Sequence, residues 1–186
     1  MHKFRFSPLL PMLLLAYMLI EGSFAPLWFL AFSLVHELGH FIAIRLVGGK
    51  IDAFSGAGQG FGLQATHLSY RGEWIAAAAG PLTSLALAGV FALFRHWFFC
   101  YANLALGLFN LLPILPLDGG RVLKAALAIH LPVHLQRGIL QAVGLIFLLP
   151  LLALAFWQFL SSGYNISLLF ICIYLIGLLK ENGNDV

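Results

Sequence analysis

Long apolar runs separated by short polar breaks set the pattern of the chain. Read by length and period, they predict membrane-spanning segments at about 8–20, 24–47, 73–94, 98–117, 138–160 and 165–179. The first run follows Lys3 and Arg5 and is followed by Ser23-Phe24-Ala25, the layout of a secretory signal. Pro26 directly behind that point argues against cleavage, so the run reads as an uncleaved first segment. Gly48-Gly49 closes the second segment. Residues 50–72 differ in kind, with two strand-like pieces around Gly56, Gly58, Gly60 and Gly62. They predict a small β-hairpin or re-entrant element, with a surface loop as an equal alternative. The third segment carries Ala76 to Ala79, then Gly80-Pro81, so small residues allow close helix approach. Pro81 cannot donate to the carbonyl of Ala77, which predicts a kink, with Thr83 and Ser84 placed to satisfy freed backbone groups. The fourth segment is broken near its end by Pro113, Pro116, Gly119 and Gly120. Such backbone is tolerated in a membrane only where protein or a cavity surrounds it. A polar connection with Lys124, His130, Pro132, His134 and Arg137 then leads to segment five.

Composition supports this pattern. The 186 residues are 61% hydrophobic and 9% charged, where a soluble domain carries about 25% charged residues. The predicted fold class is therefore an all-α polytopic membrane protein. It has six transmembrane helices, a hairpin or re-entrant element between helices 2 and 3, and a broken helix 4. It forms one membrane-embedded domain over 1–186 with no separate soluble domain. The +3 formal charge is dispersed and excludes a nucleic-acid surface. Cys100 and Cys172 lie in separate apolar runs and suit packing rather than a disulfide or a structural zinc site. Threaded with its N-terminus in the cytoplasm, the chain places every Lys and Arg except Arg95 on the inner side. Both termini are then cytoplasmic.

The chemistry sits in Val35-His36-Glu37-Leu38-Gly39-His40, inside the second run. Histidines at i and i+4 share one helix face, about 6 Å apart along the axis, within reach of one ion. Glu37 stands beside the first of them, where a carboxylate can accept a proton from water. This is the His-Glu-x-x-His zinc-hydrolase pattern. Ionisable groups at membrane depth mark function by default. A catalytic zinc takes three protein ligands and leaves one position open. His67, His96, His130 and His134 lie in loops or at interfaces, or on the wrong side. Asp118, a carboxylate on the broken backbone, is the best third ligand, although its other reading is a cap for the next helix. Asn110 can donate a hydrogen bond to a developing oxyanion or hold the substrate backbone. The candidate set is His36, His40 and Asp118 for one zinc ion, with Glu37 and Asn110 as catalytic groups. No substrate-binding residue stands out.

Three stretches together resemble the site-2 protease family of intramembrane zinc metalloproteases. They are His36-Glu37-Leu38-Gly39-His40, Gly80-Pro81, and Asn110-Leu111-Leu112-Pro113-Ile114-Leu115-Pro116-Leu117-Asp118-Gly119. Within that family the chain is most similar to the bacterial stage IV sporulation branch, which cleaves a membrane-associated pro-sigma factor. The resemblance spans roughly residues 1–180. It implies a six-helix core with zinc held by His36, His40 and Asp118, Glu37 as base, Asn110 in the active site, and a membrane-embedded β element. It further implies a membrane-associated protein substrate and a bacterial cell membrane, while the charge-based orientation puts the active site toward the cytoplasm. Many members carry asparagine shortly after the Gly-Pro, where this chain has Ser84. Members often add a nucleotide-sensing or PDZ domain, and neither is expected here. A regulatory membrane partner fits the family. Two rival readings use the same residues: a catalytically idle membrane regulator on this scaffold, and a metal transporter. Intact Glu37, His36, His40 and Asp118 argue against the first. The lack of acidic residues and histidines in 138–160 and 165–179 argues against the second.

Overall fold

The structure, a computed structural model, describes residues 22, 24–55, 62–66, 68–162 and 167–182. The expected first segment, 8–20, lies outside these residues, as does most of the glycine-rich turn. Helix α1 (Ala25–Leu46) starts with Pro26 in its first turn, where the missing N–H costs nothing. It stops at Gly48, whose φ of 78° only glycine adopts freely. There Gly49 N–H donates to Ile44 O at 2.9 Å and Gly48 N–H to Arg45 O at 3.2 Å, a Schellman closure. Strands β1 (Lys50–Ser55) and β2 (Gly62–Thr66) pair antiparallel, from Lys50 opposite Thr66 to Ser55 opposite Gly62. Asp52 is the extra residue at a bulge between Ile51 and Ala53.

Helix α2 (Tyr70–Leu93) begins at Ser69, whose Oγ accepts from Gly72 N–H at 3.1 Å. Pro81 lies within it and the helix continues on both sides. Thr83 does bond to backbone, but to Ala79 O at 2.8 Å rather than to the carbonyl Pro81 frees. Helix α3 (Trp97–Asn110) follows a tight turn in which Arg95 has a positive φ. Rings of Trp28, Phe32, Phe91 and Phe99 lie 4.7–5.7 Å apart, centre to centre, where this turn meets the start of α1. That cluster fixes the register of α1 against α2 and α3 about one turn from His36.

Two expectations need correction. The fourth segment, drawn as 98–117, is helical only to Asn110, and residues 111–117 form turns. Asp118 follows them at the start of the next helix, close to its alternative reading as a cap, although its side chain makes no capping hydrogen bond. It is the first residue of α4 (Asp118–His130), which replaces the predicted polar connection. The helix was hidden by its amphipathic composition: Ala125 is buried while Lys124 faces out. Pro132 separates α4 from α5 (Val133–Ser162), and α6 (Ser167–Asn182) packs back on α5. The broken stretch is half-buried and anchored at its middle. Ile114 is fully buried and joins Leu148, Ala155, Cys172 and Leu175 in one core cluster.

Among the described residues, α1, α2 and α5 are long and apolar enough to cross a bilayer, and α6 holds a shorter apolar stretch, Leu168–Leu179. Their outward faces are rich in exposed Leu, Ile, Phe and Trp. This is a membrane protein.

Candidate metal centre

The site is built where α1, α2 and the start of α4 meet. Phe32, His36, His40, Ala43 and Ile44 are the buried positions of α1, so both histidines face inward. Ala76, Gly80, Ser84 and Ala88 form a buried stripe along α2 at four-residue spacing. Small residues at that spacing let two helix backbones come close. The two stripes run antiparallel, which pairs His40 with Ala76 and His36 with Ser84. His40 Nδ1 donates to the Ala76 carbonyl at 2.7 Å, and His36 Nδ1 lies 2.9 Å from Ser84 Oγ. Gly80, midway between them, faces both rings. A methyl group there would overlap the imidazoles of His40 and His36.

Asp118 arrives from the other side. The backbone of α4 lies so close to the broken stretch that a Cβ on Gly119 would strike the carbonyl of Leu111. A Cβ on Gly120 would meet Ile114 backbone at 2.6 Å. This contact sets the first turn of α4. Asp118 Oδ2 stands 3.0 Å from His36 Nε2 and 3.1 Å from His40 Nε2, and the two Nε2 atoms are 3.3 Å apart. The other carboxylate oxygen, Oδ1, takes an ion pair from Arg121 at 3.4 Å, one turn along α4. All three residues are buried. Among the described residues they are a group of three able to hold a metal ion.

The donor set tests the fit. A carbonyl only accepts, so His40 must carry a proton on Nδ1, and its neutral ring then presents a bare lone pair at Nε2. That lone pair faces a carboxylate oxygen and the Nε2 of His36, and with His36 in the same tautomer three acceptors converge on one point. A cation satisfies all three. Ligands about 2.0–2.1 Å from a tetrahedral zinc lie about 3.3 Å from one another. The observed triangle of 3.0–3.3 Å has that size.

Glu37 is half-buried, within electrostatic range of His40, Asp118, His36 and Arg121. Asn110 is half-buried and donates one N–H to Leu106 O at 3.0 Å on its own helix. His96, His130 and His134 are exposed and stand apart from the group. His67 lies outside the described residues. Sequence reasoning missed Ser84 and Arg121 as partners of the ligands. The four-residue small stripe was the available signal for Ser84, and the Asp-x-x-Arg spacing was the signal for Arg121.

Known proteins resemble this chain in sequence and in fold. The sequence profile described as peptidase family M50 matches residues 89–151, which hold α3, the broken stretch and Asp118. Rip3 of Mycobacterium tuberculosis, whose name describes a zinc metalloprotease, is 32% identical over 162 residues, 76% of this chain. A zinc metalloprotease of Methanocaldococcus jannaschii is 33% identical over 106 residues, 50% of this chain. The chain spans 41% and 31% of the lengths of these two curated relatives. The solved site-2 protease from Methanocaldococcus jannaschii superposes with a TM-score of 0.69, covering 96% of this chain and 88% of that one, at 23% identity. The fold is thus the site-2 protease fold. In sequence the chain is similar to peptidase family M50 over residues 89–151 and to these two zinc metalloproteases over as much as 76% of its length.

Proposed function

We propose that this protein is an intramembrane zinc metalloprotease that hydrolyses a peptide bond within or near a transmembrane segment of a membrane-associated protein. The reading rests above all on the convergence of His36 Nε2, His40 Nε2 and Asp118 Oδ2 on one point, with Glu37 beside them on the same turn of α1. Those three atoms hold one zinc ion, the cofactor that the names of both relatives carry. When bound, zinc supplies Lewis acidity toward a water molecule and a substrate carbonyl.

The chain's own residues do the rest. Glu37 accepts the proton of the attacking water and returns it to the departing amide nitrogen. An asparagine amide carries two N–H groups, and Asn110 spends one on Leu106 O. The second steadies the developing oxyanion. A helical substrate has its carbonyls occupied, so it unwinds locally before attack. The pair β1–β2 offers an edge on which the unwound piece adds as a strand. Proline placed at successive positions along β1 or β2 is expected to slow cleavage wherever it removes an edge N–H. Cleavage unchanged by every such proline would remove the strand-addition step.

The arrangement in the bilayer completes the reading. Six segments cross it, both termini are cytoplasmic, and the site lies toward the cytoplasmic side of a bacterial cell membrane. Arg45 and Arg71 flank the strands at one end while Arg95 marks the opposite turn, which supports this orientation. The process served is regulated intramembrane proteolysis, with a further membrane partner as regulator. The test is a survey of new N-termini in membranes producing the wild type beside Glu37→Gln. Cuts inside or next to transmembrane segments, present only with the wild type, are the expected result. Identical patterns from both proteins would overturn the proposal.

A further inference from the structure

The two histidines are backed by different groups, and the difference assigns a role. Behind His40 stands a main-chain carbonyl, which no side-chain replacement removes. Behind His36 stands a single hydroxyl, Ser84 Oγ, at 2.9 Å. Ser84 is completely buried, as Gly80 and Pro81 are on the turn before it. The ring of His36 therefore has one polar support on its Nδ1 side among the described residues. Unlike a carbonyl, a hydroxyl accepts or donates. It fixes the ring for metal binding only when Nδ1–H donates to it, which leaves the Nε2 lone pair on the side of Asp118.

Resting on the zinc-protease reading above, we propose that Ser84 is a positioning residue. By accepting the Nδ1 proton of His36 it holds the ring in the tautomer and orientation that direct Nε2 at the metal. Its partner groups of this kind tune affinity by about 10- to 100-fold in metal sites generally. Its contribution is to zinc retention, and through zinc to turnover.

The experiment measures zinc affinity by chelator competition for the detergent-purified wild type and Ser84→Ala, with the melting temperature of both zinc-free proteins. Ser84→Ala is expected to bind zinc about 10- to 100-fold more weakly. Its zinc-free melting temperature should stay within a few degrees of the wild type. Equal affinities, or a weakening matched by collapse of the zinc-free protein, would overturn the proposal. A second measurement needs no variant. In the zinc-loaded wild type, a downfield, exchange-protected proton bound to His36 Nδ1 is expected by heteronuclear NMR, and its absence would overturn the proposal. Failure of the wild type itself to bind zinc would count against the protease reading instead, so the two failures are distinguishable.

Discussion

Glu37→Gln is expected to leave zinc in place and remove hydrolysis. Glu37 follows His36 on α1, yet it is half-buried rather than packed into the triangle of ligand atoms. The change keeps the shape of the side chain and deletes its ability to take a proton at neutral pH. Loss of a general base costs about 100- to 10 000-fold in rate. Zinc content should stay near that of the wild type, because none of the three converging atoms is touched. The check is a single-turnover cleavage assay beside metal analysis of the same preparation. A metal transporter would respond differently, with flux following metal affinity. Full cleavage by Glu37→Gln would remove Glu37 from the chemistry.

Gly80→Ala carries the second large effect. One added methyl group enters the space of both imidazoles, because α2 approaches α1 at the point where the histidines lie side by side. The rings can yield only by turning away from Asp118, since Ala76 O and Ser84 Oγ hold them from behind. Zinc affinity should fall by about 100-fold or more, beyond the loss of one supporting hydrogen bond. Overpacking of this kind also destabilises by about 1–3 kcal/mol. Chelator competition and a thermal melt on the same variant separate the two losses. Unchanged affinity would mean that α1 and α2 are not in the register described here.

How much of this was legible in the sequence depends on how far apart the partners lie. His36, Glu37 and His40 were readable because one helical turn brings them together. Asp118 was readable because a carboxylate in apolar surroundings needs a reason to be there. Its place at the start of α4 was legible only as the alternative reading, a cap for the next helix, because the glycines beside it look like a loop until their close packing on Leu111 and Ile114 is seen. The pairing of Ser84 with His36 depends on the antiparallel register of two helices, which no local pattern encodes. Lys124, His130, Pro132, His134 and Arg137 suggested a polar connection, although the outer face of an amphipathic helix carries such residues too. The apolar runs at 24–47, 73–94 and 165–179 gave helices near their observed bounds, whereas the run at 98–117 overran α3, and only three described helices have the length and apolarity to cross a bilayer by themselves.

The central claim is that α1 and α4 together hold one zinc ion. Metal content of the detergent-purified protein, wild type beside Asp118→Ala, tests it most directly. Three ligand atoms at 3.0–3.3 Å become two when Asp118 loses its carboxylate. About one zinc per chain in the wild type, largely lost from the mutant, is the expected result. Zinc retained in full by Asp118→Ala would contradict the three-ligand site, and a metal-replete wild type without zinc would contradict the metal centre itself.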